Sequence, residues 1–214
     1  MNNKKLIRNP ENNFWKNKNV LVTGHTGFKG SWLCLWLLKM GANIFGLSLD
    51  PPSKVNLFND IKIESFINHK IININDLIKL KNHINLIKPD IVFHLAAQPL
   101  VRRSYVEPIL TWQTNVVGTL NLLTALKDIS VKCACVCITS DKVYRNNTSD
   151  DYLFKEDDTL GGDDPYSASK AATELLIDSF RKSYCGSKGH KNENLFIATA
   201  RSGNLIGGGD WAAD

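Results

Sequence analysis

Tyr166 and Lys170 stand four residues apart in the run Tyr166-Ser167-Ala168-Ser169-Lys170. On a helix that spacing puts both side chains on one face. An ammonium within ~4–6 Å of a phenol favours the ionised phenol. The pair is therefore expected to lower the pKa of Tyr166 until it can take a proton from an alcohol or sugar hydroxyl, as hydride transfer requires. Tyr and Lys at this interval also occur in ordinary helices, so the weight of the pair comes from its company. Thr139-Ser140-Asp141-Lys142 places a hydroxyl, a carboxyl and an amine in succession at the end of an apolar run.

Those groups need a frame to hold them. The short apolar run at 19–23 reads as a buried parallel strand. A helix is expected over 30–40, stopped by Gly41, then a strand over 43–49 ended by Asp50-Pro51-Pro52. Residues 53–69 are irregular, with room for one short helix. A third strand is expected over 71–74, a helix capped by Asp76 running to 87, and a fourth strand over 91–95 after Pro89. A helix over 111–127 leads to a fifth strand at 134–139. An acidic surface loop spans 145–164, a long helix 166–184, a polar segment 186–191, and a sixth strand 195–200. Strands alternating with helices at this spacing predict an α/β fold with a doubly wound parallel sheet, of Rossmann type.

Gly24-His25-Thr26-Gly27-Phe28-Lys29-Gly30 lies between the first strand and the first helix. Glycines there allow a tight turn and bring backbone N–H groups close to a pyrophosphate at a helix N-terminus. With two residues between successive glycines, the motif resembles that of the extended short-chain dehydrogenase/reductase family. His94-Leu95-Ala96-Ala97 resembles that family's fourth-strand motif and Thr114-Asn115-Val116-Val117-Gly118-Thr119 its following helix, in which Asn115 is commonly structural. Within the family, the wording of five stretches resembles the CDP-glucose 4,6-dehydratases. These are the loop 22–32, Ala96-Ala97-Gln98-Pro99-Leu100-Val101-Arg102, Thr139-Ser140-Asp141-Lys142, residues 160–167, and residues 201–211. Related dTDP- and GDP-sugar dehydratases carry an acid where this chain has Lys142.

The resemblance implies a lyase that turns CDP-glucose into CDP-4-keto-6-deoxyglucose and water by internal hydride transfer with bound NAD. It implies Ser140, Asp141, Lys142, Tyr166 and Lys170 as catalytic groups, with Asp141 the acid and Lys142 the base in water loss. The two could exchange these roles, because an ion pair between them would shift each the wrong way. Cofactor contacts are expected from Gly24, Thr26, Gly27, Phe28, Lys29, Gly30, Ser48, Asn73, Leu95, Ala96, Ala97, Asn115, Tyr166 and Lys170. Substrate contacts are expected from Gln98, Arg102, Ser140 and Asn204. The residues themselves read Lys29 first as a flexible surface lysine, and read Arg102 as readily as half of a solvated pair with Arg103. Ser48 and Asn73 stand where the family usually has acids, with Asp50 and Asp76 nearby. NAD rather than NADP is expected, since no Arg ends the second strand.

Composition bounds the alternatives. The chain has 214 residues, 43% hydrophobic and 22% charged, with a net charge of +5. That suits a soluble globular domain and a small anionic ligand, and no dense basic run points to nucleic acid. No metal site is expected. Cys133, Cys135 and Cys137 alternate, so on a strand they share one face and read as reduced core residues. The longest apolar run, 32–38, is far short of a bilayer span of ~20 residues, and a cytoplasmic location is expected. The organisation expected is a polar tail over 1–18 and an NAD-binding domain over 19–214, cut before most of a C-terminal substrate domain. A homodimer through helices 111–127 and 166–184 is also expected. The alternatives are a nucleotide-sugar epimerase, which needs no acid–base pair after Ser140, and a non-catalytic NAD-binding scaffold.

Overall fold

The computed structural model describes residues 13–146, 151–187 and 191–211. Most of the expected N-terminal tail, and parts of the loop 145–164 and the segment 186–191, lie outside the described residues. Six parallel strands form one sheet in the order β3-β2-β1-β4-β5-β6. They are β1 (Asn19–Thr23), β2 (Asn43–Ser48), β3 (Asn68–Ile71), β4 (Ile91–His94), β5 (Cys133–Ile138) and β6 (Leu195–Ala200). The chain winds outward from β1 to β3, then crosses back to β4 and winds the other way. The carboxyl ends of β1 and β4 therefore open onto a crevice at the reversal.

Alternation along each strand divides the core in two. Leu21, Val92, Cys133, Cys135 and Cys137 pack with the helices α3 (Leu77–Ile87), α6 (Gly118–Leu126) and α7 (Pro165–Tyr184). Val20, Val22, Ile44 and Ile91 pack with α1 (Phe28–Lys39) on the opposite face. The cysteine reading holds: all three are buried, and Cys34 and Cys185 are free as well. α1 covers only part of its face. An apolar groove of about 520 Å³ lies beside it, lined by Trp32, Trp36, Phe93, Leu95, Ile138 and Leu205 among others.

Local chemistry sets the helix ends. Asp76 accepts a hydrogen bond from the Lys79 N–H at 3.0 Å and starts α3. Asp164 accepts from the N–H groups of Tyr166 and Ser167 at 2.9 and 3.0 Å, with Pro165 at the first helical position. Those two features place the start of α7, and with it the phase of Tyr166 and Lys170.

Two expectations need correction. β3 forms over Asn68–Ile71 rather than 71–74, because Ile74 leaves the ladder and packs inward, so close to Gly118 that a Cβ there would lie 2.6 Å away. The expected helix 111–127 is broken into α5 (Pro108–Trp112), a π-helical turn over Gln113–Val117, and α6. Two elements were unforeseen, the short helix α4 (Val101–Val106) and a 3-10 turn over Asp141–Val143; the irregular stretch after β2 holds α2 (Leu57–Asp60) and another 3-10 turn. Among the described residues, no helix is long and apolar enough to cross a membrane.

Candidate active site

The glycine loop is shaped by packing on one side and open on the other. Gly24 has φ +73°, and a Cβ there would lie 2.7 Å from the Ala96 nitrogen. At Gly30 a Cβ would meet the Gly24 carbonyl oxygen at 2.2 Å. Both are needed so that α1, the loop and the chain after β4 can touch. Gly27 differs: a Cβ there would approach only the Gly24 oxygen, at 3.4 Å. Gly27 is the N-cap of α1, without a side-chain cap and with no acid in the first turn. The first N–H groups of α1 thus have no side-chain cap at the positive end of a helix, which fits a pyrophosphate.

Hydroxyls tie this cradle to its neighbours. The Thr26 hydroxyl donates to the Leu49 carbonyl at 2.9 Å and is 2.8 Å from the Ser48 hydroxyl. Buried Thr23 accepts from the N–H groups of Leu95 and Ala96, each at 3.2 Å. His94, at the end of β4, bridges Thr23 and Thr119 at 2.7 and 2.9 Å. Thr23 thus holds the backbone of Leu95 and Ala96 at the end of β4, beside the loop. Asn73 lies two residues past β3, exposed, with its side chain accepting from the Asn75 N–H.

Two expected contacts are committed elsewhere. Asn115 sits in the π-helical turn, buried, where it accepts from the Gln98 N–H at 2.8 Å and donates to the Gln98 carbonyl and the Ser169 hydroxyl. The Gln98 side chain donates to the Leu100 carbonyl and Thr111 and accepts from the Leu100 N–H. These two amides staple the loop after β4 to α5 and α7. Both side-chain amides are thus engaged within the chain. Arg102 is exposed on α4 and Asn204 is exposed beyond β6.

The residues expected to transfer protons do come together. Ser140 is buried at the end of β5, where its hydroxyl caps the 3-10 turn by accepting from the Lys142 N–H at 3.2 Å. It also donates to Asp141 at 3.1 Å and is hydrogen-bonded to the phenol of Tyr166. Lys170, buried, donates to the Ile138 carbonyl at 3.3 Å. Lys29 reaches in from α1 and donates to the Ser202 hydroxyl at 3.2 Å, within electrostatic range of both Asp141 and Lys170. The Ser202 carbonyl accepts the Asp141 N–H at 3.1 Å. The side chains of Asp141 and Lys142 stand at the exposed lip of the cleft.

The electrostatics overturn part of the opening expectation. Burial pushes the Tyr166 phenol above its usual range against the Ser140 hydrogen bond, and the carboxylates of Asp141 and Asp164 push it further. Lys170 does not hold it ionised. Its ammonium is turned to the strand end, and burial together with Lys29 brings its own pKa down to about 8. Lys29 is half-buried: burial lowers its pKa and the nearby Asp141 partly restores it. Sequence reasoning missed Glu174, one turn beyond Lys170. The spacing 166, 170, 174 on one helix was the available signal.

Comparison with known proteins agrees with this geometry. Residues 21–189 match the family described as GDP-mannose 4,6 dehydratase. The chain is 48% identical to the CDP-glucose 4,6-dehydratase of Salmonella typhimurium over 95% of its own length and 56% of the relative's. It is 33% identical to the dTDP-D-glucose 4,6-dehydratase of Dictyostelium discoideum, over 88% and 44%. Among solved structures, the UDP-glucose-4-epimerase of Stenotrophomonas maltophila with bound NAD and formylated UDP-arabinopyranose superposes with a TM-score of 0.72 at 26% identity, over 86% of this chain and 52% of that one. The chain thus spans about half the length of the relatives it matches. By fold, by cradle and by a match across most of its length, the chain belongs to the GDP-mannose 4,6 dehydratase family.

Proposed function

We propose that this chain forms the cofactor and sugar half of a nucleotide-sugar 4,6-dehydratase that converts CDP-glucose to CDP-4-keto-6-deoxyglucose and water. The observation that carries the reading is the gathering of Ser140, Asp141, Lys142, Tyr166 and Lys170 at the end of β5, beside an open phosphate cradle. The 48% identity to a CDP-glucose 4,6-dehydratase supports the choice of reaction and nucleotide.

In this reading the helix α1 N-terminus, Gly27 and Thr26 hold NAD, Ser48 and Asn73 lie on its adenosine side, and Leu95, Ala96 and Ala97 line its nicotinamide side. NAD, when bound, would supply the hydride chemistry, from sugar carbon 4 and back to carbon 6 as a proton is returned to carbon 5. Tyr166 accepts the carbon-4 hydroxyl proton, with Ser140 fixing that hydroxyl. The ketone acidifies the carbon-5 proton, which Lys142 removes while Asp141 protonates the departing carbon-6 hydroxyl. Since burial raises the phenol and the Lys170 ammonium is held at the Ile138 carbonyl, ionised Tyr166 needs further cationic help, which the positive charge of an oxidised nicotinamide would supply. Asn204, on the strap that follows β6, is a candidate sugar contact, as is Arg102.

A homodimer fits the exposed apolar residues Trp112, Val117, Leu120 and Leu175 on the helices expected to pair, beside a groove of about 350 Å³. Free, mostly buried cysteines suit a reducing cytoplasm. The test is incubation with CDP-glucose and NAD, followed by mass and NMR detection of a 4-keto-6-deoxy product. Asp141→Asn and Lys142→Met should block water loss while NAD reduction by substrate remains visible. Undiminished dehydration in both variants removes their roles, and inversion at carbon 4 without water loss would make the protein an epimerase.

A further inference from the structure

Glu174 is a buried carboxylate, 5% exposed, that the proposed reaction does not use. It lies on α7 one turn after Lys170 and gathers three groups from two strand ends. Thr139 donates to one of its oxygens at 2.5 Å, while Thr199 and Arg201 donate to the other at 3.1 and 3.0 Å. Each partner adjoins a residue of the cleft. Thr139 precedes Ser140. Arg201 precedes Ser202, whose carbonyl receives the Asp141 N–H and whose hydroxyl receives Lys29. Arg201 also donates to the Glu156 carbonyl at 2.9 Å and lies 4.9 Å over the Tyr144 ring, which stacks on Phe154. One carboxylate thus ties together α7, the ends of β5 and β6, and the loop between Ser140 and Tyr166.

We propose that Glu174 is a positioning residue of the proton-transfer site, holding Ser140 and Asp141 in place opposite the Tyr166–Lys170 edge of α7. The proposal rests on the reading of those four residues as the reacting groups. A carboxylate buried without full partnering would be costly, and here Arg201, Thr139 and Thr199 outweigh burial and keep it ionised. Its geometry is over-determined, since two strands and one helix must agree for all three donors to reach it. A carboxylate in that position also supports the charge on Lys170. The other titratable or charged groups facing Lys170 are Lys29 from α1, His94 from β4 and Cys137 from β5.

Glu174→Gln keeps the side-chain shape and removes the charge. In the full chain with lysine labelled at 13Cε, the Lys170 signal, assigned by its loss in Lys170→Met, should titrate near 8. In Glu174→Gln that midpoint should fall by about half a unit, as expected when a nearby opposite charge is lost. In turnover of CDP-glucose, kcat should drop by about tenfold or more, as sub-ångström misplacement allows, with KM and NAD affinity within about twofold. Asp178→Asn, exposed further along α7, serves as the control expected to leave both readouts unchanged. A folded Glu174→Gln protein with wild-type kcat and wild-type Lys170 midpoint overturns the proposal. Should Glu174→Gln fail to fold, Thr139→Val cuts the link to Ser140 alone and must show the same loss of kcat, and a wild-type kcat there overturns the proposal equally. If the wild-type chain does not turn over CDP-glucose, the functional reading fails, while the Lys170 titration needs neither cofactor nor turnover and still decides the case.

Discussion

Two glycines of the same loop should fail in different ways. At Gly30 an added Cβ would sit 2.2 Å from the Gly24 carbonyl oxygen, 2.7 Å from the His25 Cα and 2.9 Å from the Gly24 carbonyl carbon. All three are backbone atoms, so no rotamer change relieves the overlap. Replacing glycine by alanine inside a helix gains about 1 kcal/mol in propensity. Overpacking of a close contact costs about 1–3 kcal/mol, and a backbone clash belongs at the upper end. The net loss for Gly30→Ala is about 2 kcal/mol, a fall of roughly 4–8 °C in Tm for a chain of this size. The loop must also move away from α1, so NAD affinity should drop with stability. At Gly27 the only approach is 3.4 Å, and alanine there should lower Tm by no more than about 2 °C through poorer capping. Its methyl would still intrude where a pyrophosphate belongs, and NAD affinity should fall by about tenfold or more, since a lost close contact of about 1.4 kcal/mol is a factor of ten. Circular dichroism melts and calorimetric NAD titration of the two variants decide the matter. A Gly30→Ala protein with wild-type melting, or a Gly27→Ala protein with wild-type NAD affinity, refutes the division of labour.

Two further outcomes follow from buried polar groups. Burial and the neighbouring His69 bring His25 down to about 4, and burial with Lys170 brings His94 down to about 3, both from 6.5. Below pH 6.5 the unfolded chain takes up protons that the folded chain refuses, so stability is full above 6.5 and is lost as pH falls toward 4. Each pH unit within that window costs about 1.4 kcal/mol per histidine, and a Tm that stays flat from pH 7.5 to 5 would contradict the burial of both. Asn115→Ala removes three buried hydrogen bonds from the staple between Gln98 and Ser169, with an expected loss of about 3 kcal/mol and roughly 6–12 °C in Tm. A change within 2 °C would show that the π-helical turn does not depend on it.

The strand–helix alternation, the glycine loop and the Tyr166–Lys170 spacing were legible because they rest on local periodicity and on residues with narrow conformational uses. The buried cysteines of β5 followed from alternation alone. Other features were decided by contacts between parts of the chain far apart in sequence. Ile74 left the third strand because a core position opposite Gly118 was available. The helix after Pro108 took a π-helical turn where Asn115 meets Gln98 and Ser169. Lys170 could pair with the phenol by spacing, yet burial and the Ile138 carbonyl claimed its ammonium. Lys29 and Glu174 gain their places in the cleft only when β5, β6 and α1 converge. Spacing along a chain reports which side chains share a face; desolvation and the choice among competing partners arise only once distant segments are packed together.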